Sequence, residues 1–212
     1  MRRNLWTGVV AAVVALGESA GTAAAQENGS PVYKSPYRSF VHHEAGATFS
    51  DPGGYDWTLE GFYSYGWRNF DVGLRAGYVK IGPNANAISV GADLRTRVIS
   101  WSEHFPLDGS LTLGGGAVIG DGPDVLNIPI GLSLGRHIEL EGSKTTFTPY
   151  VQPIIVPRFA TDIGGLGDNS DIAFAVGLGV DINLNRSLSL RVSGGIGDSP
   201  FDGVGVSVAW IR

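Results

Sequence analysis

The chain has 212 residues, of which 32 are glycine and none is cysteine; 17% are charged and the formal net charge is −5. The missing cysteines exclude disulfides, thiolate metal centres and cysteine nucleophiles, and the acidic balance argues against nucleic acid as a partner. Hydrophobic residues make up 43% of the chain, yet no uninterrupted apolar run approaches the roughly 20 residues of a membrane-spanning helix.

Residues 1–25 read as a secretory leader. Arg2 and Arg3 precede an apolar stretch from Leu5 to Leu16, and small residues end in Ala23-Ala24-Ala25 before Gln26. The expected cleavage follows Ala25. Removing the leader takes away two arginines and Glu18, which leaves 13 basic and 19 acidic residues. Residues 26–39 are polar and carry Pro31 and Pro36, so they are expected as a periplasmic lead-in without regular structure. The remaining 40–212 form the one expected domain.

Ten strand-like segments follow, at residues 40–49, 56–65, 70–80, 87–98, 110–119, 124–134, 147–156, 172–182, 187–196 and 203–211. Most alternate large apolar residues with small or polar ones. In 172–182, Ile172, Phe174, Val176, Leu178, Val180 and Ile182 oppose Ala173, Ala175, Gly177, Gly179 and Asp181. This two-residue period belongs to a β-strand with one greasy and one small, polar face. In 87–98, Ile88, Val90, Ala92, Leu94 and Val98 oppose Ser89, Gly91, Asp93, Arg95 and Arg97. A soluble core has no place for three charges on such a face, whereas a membrane barrel turns its greasy face to lipid and the other to its interior.

An even strand count puts both chain ends on the periplasmic side. Periplasmic turns are then expected near 66–69, 99–109, 136–146 and 183–186, with external loops near 50–55, 81–86, 120–123, 158–170 and 197–202. Two aromatic girdles result, one of Tyr65, Trp67, Phe70, Trp101, Phe105 and Trp210, the other of Tyr55, Trp57, Tyr78, Phe159 and Phe201. Interfacial water and lipid select such rings. The leader, the ten-residue amphipathic strands, the glycine-rich interior and the girdles together resemble the small outer-membrane β-barrel proteins of diderm (Gram-negative) bacteria, the porin-like and OmpA-like class. The resemblance implies a single antiparallel up-and-down barrel of about ten strands, eight or twelve being the neighbouring counts. It also implies outer-membrane lipid and the barrel assembly machinery as partners. Its members often end in Phe or Trp, and this chain reads Trp210-Ile211-Arg212.

By strand parity Glu60, Arg75, Asp93, Arg95, Arg97, Asp181 and Arg191 point inward, joined in one reading by Glu44. Near-neutral balance suits interior salt bridges that fill the lumen; the alternative is a charge ladder lining a water-filled pore. The many inward Gly, Ala and Ser residues leave space for the second. Pro149, Pro153 and Pro157 lie four apart, so all three missing N–H donors fall on one side of their strand. They mark either a distorted seam or one that opens sideways to pass an apolar ligand.

His42 and His43 are adjacent and point to opposite strand faces, which disfavours a shared metal. Ser89, Ser102 and Ser193 lack a Ser-His-acid pattern, and Gly114-Gly115-Gly116 and Gly164-Gly165 precede no helix that could bind phosphate. Catalysis, cofactor and metal are therefore not expected. The expected function is an integral outer-membrane barrel acting as a narrow passive pore or in a structural or surface-interaction role. A soluble barrel binding an apolar ligand is the alternative, followed by an outer-membrane lipid-modifying enzyme.

Overall fold

The computed structural model describes residues 30, 32–161, 169–199 and 201–212; the expected leader lies outside them. Among the described residues twelve strands make the fold: β1 (His43–Pro52), β2 (Trp57–Trp67), β3 (Phe70–Gly82), β4 (Ala85–Ile99), β5 (Asp108–Gly120), β6 (Asp124–Asn127), β7 (Ile130–Gly135), β8 (Ile138–Glu139), β9 (Thr146–Thr161), β10 (Asn169–Asn183), β11 (Leu188–Gly197) and β12 (Gly203–Ile211). All pairings are antiparallel. β1 pairs with β12 from Glu44↔Ile211 to Pro52↔Gly203, which joins the first strand to the last and leaves no free edge. Because β6, β7 and β8 succeed one another along the same side of β9, they form one stave, and the barrel has ten. This is the single up-and-down barrel that the alternation predicts.

The sixth stave was expected to be continuous and is instead broken at Ile128-Pro129. Proline has no N–H to donate and restricts the residue before it. Two backbone bonds carry the sheet across the break, from Ile128 N to Pro157 O at 3.0 Å and from Gly114 N to Pro129 O at 2.9 Å.

The two rims are distinct. At one, the chain ends meet through His43 N to Arg212 O at 3.0 Å and Arg212 N to His43 O at 2.8 Å. The connections β2–β3, β4–β5, β7–β9 and β10–β11 share this chain-end rim, and β1–β2, β3–β4, β5–β6 and β11–β12 turn at the opposite, loop rim. Large apolar side chains cover the outer wall, including Phe49, Leu59, Leu74, Ile88, Leu94, Leu113, Ile172, Phe174, Val206 and Val208, each more than 40% exposed. The expected ring of Tyr65, Trp67, Phe70, Trp101, Phe105 and Trp210 is exposed at the chain-end rim. At the loop rim Tyr78 and Phe159 are exposed, but Phe201 is fully buried and turned into the lumen. A soluble barrel with an apolar interior would need the opposite facing.

The segment ahead of β1 departs from expectation. Residues 26–39 were read as a periplasmic lead-in. Of these, Ser30, Val32, Tyr33 and Ser35 are at most 5% exposed, because the segment runs through the barrel. Ser30 Oγ lies 3.2 Å from Thr58 Oγ1 near the loop rim. At the other end the Arg38 guanidinium donates to Phe70 O and Arg68 O, both at 2.8 Å, in the β2–β3 turn of the chain-end rim. The polar composition that suggested a solvated linker is the composition a polar lumen accepts.

Candidate functional site

The lumen is the site, and its wall is built by parity. Inward positions of β1 to β4 supply Glu44, Glu60, Asp71, Arg75, Asp93 and Arg95, and β10 and β11 supply Asp181 and Arg191; all are buried except Arg191, whose side chain is 14% exposed. The Arg75 Nη1 to Glu60 Oε2 distance is 3.4 Å, and Ser89 Oγ donates to Glu60 Oε1 at 2.8 Å. Arg95 Nε donates to both Asp71 oxygens, at 3.0 and 3.2 Å. Arg191 bridges Glu44 and Asp181, with 3.5 Å from its Nε to Asp181 Oδ2. Burial makes each pair dependent on its partner, since a lone charge in such a place is several kcal/mol uphill.

Six of the seven expected lumen charges are thus brought together. Arg97 is the exception: its side chain is 41% exposed, with Asp108 Oδ1 3.9 Å away at the chain-end rim. A register irregularity between Arg97 and Ile99 adjoins it. Asp71 and Lys34 belong to the network and were not singled out from the sequence. Asp71 sits at the start of its strand, where period gives little help, and Lys34 lies in a segment with no period at all.

The N-terminal segment completes the network from within. Lys34 forms a buried ion pair with Asp93. Wall side chains also bind the segment's backbone: Ser133 Oγ donates to Lys34 O at 2.6 Å, the Arg95 guanidinium donates to Ser35 O, and Lys34 N donates to Gln152 Oε1 at 2.8 Å. Tyr33 is held at both ends, its hydroxyl donating to Phe201 O at 3.0 Å while the Tyr150 hydroxyl donates to Tyr33 O at 2.7 Å. Around it Tyr150, Ile154, Val156, Ala173, Ala175 and Phe201 form an apolar cluster. Near the chain-end rim the Tyr37 ring stacks on His137 with centroids 4.0 Å apart. His137 Nδ1 lies 3.2 Å from Thr148 Oγ1, and partial burial holds this imidazole below its ordinary pKa against the opposing pull of Glu139 and Asp108.

The small inward residues explain how a chain fits inside. A Cβ on Gly177 would lie 2.0 Å from Tyr33 Cδ1, and one on Gly73 would lie 2.2 Å from Asp93 Oδ1 and 2.8 Å from Lys34 Nζ. The sequence suggested open room at such positions; the segment fills it. A pocket among Val32, Tyr33, Lys34, Glu44, Arg75 and Asp181 holds about 20 Å³, which is room for about one water.

The three prolines occupy outward positions of β9. The β9–β10 ladder runs unbroken from Asn169↔Ala160 to Asn183↔Thr146. On the other flank pairing is confined to Asp124↔Thr161 through Asn127↔Arg158, four pairs with β7, and two with β8. Pro149 O and Pro157 O accept bonds from Arg136 N and Ile128 N on that flank. The missing proline donors therefore face the interrupted ladder, because a residue's N–H and C=O in an antiparallel strand address the same neighbour.

A closed ten-stave barrel with an apolar belt, aromatic rings at its rims and a charge-paired interior has the architecture of a membrane-spanning β-barrel. No protein-family model matches the chain, and no curated protein matches it. Among solved structures it is similar to LpxR from Salmonella typhimurium, at 8% identity and a TM-score of 0.45, over 80% of this chain and 100% of that one. It is also similar to the outer membrane protein Omp33 of Acinetobacter baumannii, at 8% identity and a TM-score of 0.38, over 82% of this chain and 99% of that one.

Proposed function

We propose that this chain is an integral outer-membrane barrel whose lumen is sealed by its own N-terminal segment, and that solutes pass only when the segment has left. The observation that carries the reading is the N-terminal segment itself, whose Val32, Tyr33 and Ser35 lie buried in the lumen and are bonded to its wall. An ordered segment bonded on several sides supports it, since a lumen that conducted at rest would need a continuous water path. In this reading the chain-end rim is periplasmic, the loop rim is external, the leader is removed after Ala25, and the chain is not an enzyme. Outer-membrane lipid surrounds the barrel, and the assembly machinery inserts it. Purified protein in planar bilayers is expected to be silent in KCl. Steady conductance from the unmodified chain would defeat the proposal, as would recovery of the secreted chain from the soluble fraction of lysed cells.

A second reading is favoured by the interrupted ladder beside β9: the seam parts sideways and an apolar ligand enters the bilayer there. Ile130 and Ile155 pair across it. A disulfide between Ile130→Cys and Ile155→Cys in this cysteine-free chain should abolish transfer of a fluorescent fatty acid through the barrel wall. Unchanged transfer with the lock closed refutes lateral passage.

A further inference from the structure

We infer that the unsealed lumen selects small cations, and that the Lys34 ammonium occupies their site in the resting barrel. The inference rests on the proposed sealing by the N-terminal segment and specifies what that seal withholds.

The argument begins with the wall alone. Its mid-lumen charges are the carboxylates of Glu44, Glu60, Asp71, Asp93 and Asp181 and the guanidiniums of Arg75, Arg95 and Arg191. Five acids against three bases leave two negative charges uncompensated by the wall. At the loop rim Asp202 adds another buried carboxylate, while Arg97 and Asp108 at the chain-end rim offset each other. Low-dielectric walls focus this excess along the axis, which concentrates cations and repels anions.

The geometry then shows where a cation sits. Asp71, Glu60, Glu44 and Asp181 each have an arginine of the wall as partner. Asp93 has its direct ion pair with Lys34, supplied by the segment, while Arg75 and Arg95 of the wall act on it from farther off. Gly73 clears the approach, since any side chain there would collide with both the Asp93 carboxylate and the Lys34 ammonium. A primary ammonium held by a buried carboxylate at a glycine-cleared position is a cation site with its ligand in place, tethered to the chain. When the segment leaves, the column it vacates is about the width of one extended chain, roughly 5 Å. Asp93 then loses its contact partner and keeps only the more distant Arg75 and Arg95, so a cation from solution takes the vacated contact. The expected ligands are alkali ions and small primary ammonium compounds.

The test uses the full chain in planar bilayers under a KCl gradient, with heat-modifiable gel migration as the folding control. The triple variant Tyr33→Gly, Lys34→Gly, Ser35→Gly removes the segment's mid-lumen side-chain anchors and leaves those of Ser30, Tyr37 and Arg38. It should conduct, with K⁺ permeating severalfold faster than Cl⁻, and Asp93→Asn in that background should bring the ratio towards unity. Methylammonium should substitute for K⁺. The single variant Lys34→Gln retains the Tyr33 anchor and serves if the triple variant does not fold; it should show brief openings with the same preference. A folded variant that conducts Cl⁻ as well as or better than K⁺ overturns the cation site while leaving the seal intact. A folded triple variant that stays silent, or unmodified protein that conducts equally, overturns the seal and the inference with it.

Discussion

Gly177→Ala tests whether the segment is seated as described. The added Cβ would lie 2.0 Å from Tyr33 Cδ1 and 2.1 Å from Cγ, against ordinary carbon contacts of about 3.5–4.0 Å, an overlap of roughly 1.5 Å. Tyr33 cannot slide to relieve it, because its hydroxyl is bonded to Phe201 O and its carbonyl to the Tyr150 hydroxyl. The ring must leave. Lost burial of a large side chain is worth about 2 kcal/mol, and two hydrogen bonds add about 1 kcal/mol each. The seated state should therefore weaken by roughly 3–4 kcal/mol, a population factor of roughly one hundred to seven hundred at about 1.4 kcal/mol per decade. Trypsin reads the outcome directly: cleavage after Lys34, slow in the native protein because that side chain is 11% exposed, should become fast. Combining Gly177→Ala with Tyr33→Ala should remove most of the penalty, since the clashing ring is gone. Equal tryptic resistance of Gly177→Ala and the unmodified chain would refute the placement of Tyr33.

Arg191→Met leaves Glu44 and Asp181 without their shared partner and should destabilise the barrel by about 3–5 kcal/mol, measured as a fall in urea midpoint; an unchanged midpoint would contradict the network. Amide exchange in detergent should be faster for β6 and β7 than for β10, because only the latter borders the unbroken β9 ladder; equal protection on both flanks argues against a weak seam. His137 should titrate below the ordinary 6.5, burial being the cause. Its folded state binds fewer protons than the unfolded chain, so the stability from this group is present above pH 6.5 and lost as pH falls through the lowered pKa. The Tyr37–His137 contact should loosen on acidification, and NMR titration showing a raised pKa would reverse the sign.

Much of the wall was legible because a strand's facing has a local period. Asp93 and Arg95 could be assigned to the interior from their neighbours alone, and Pro149, Pro153 and Pro157 could be assigned to one flank from their spacing. Segment 147–156 looked irregular because its inward face mixes Tyr150, Ile154 and Val156 with Thr148 and Gln152, while Pro149, Pro153 and Ile155 point outward. Nothing local distinguishes the two faces of such a strand. Lys34 escaped because residues 30–40 have no period, and their place is set by contacts with residues as distant as Gln152 and Phe201. The available signal was volumetric. Gly73 stands on an inward face beside Asp93, and space beside a charge has to be filled by something polar, while Gly177 on the facing wall leaves room for the Tyr33 ring.

The junction of β1 with β12 bears on how the segment can move. Its downstream end passes directly into β1, which is sewn into the wall, so residues 30–40 cannot be expelled through the loop rim. In the proposed opening they leave by being reeled back through the chain-end rim. A compact domain fused ahead of residue 30 would act as a toggle on a cord, too wide to follow, and would hold the barrel shut. The same geometry governs assembly. Since the last strand closes the cylinder onto the first, the segment is most simply wrapped by the sheet as it curls, as a mandrel is wrapped, instead of being threaded into a finished tube.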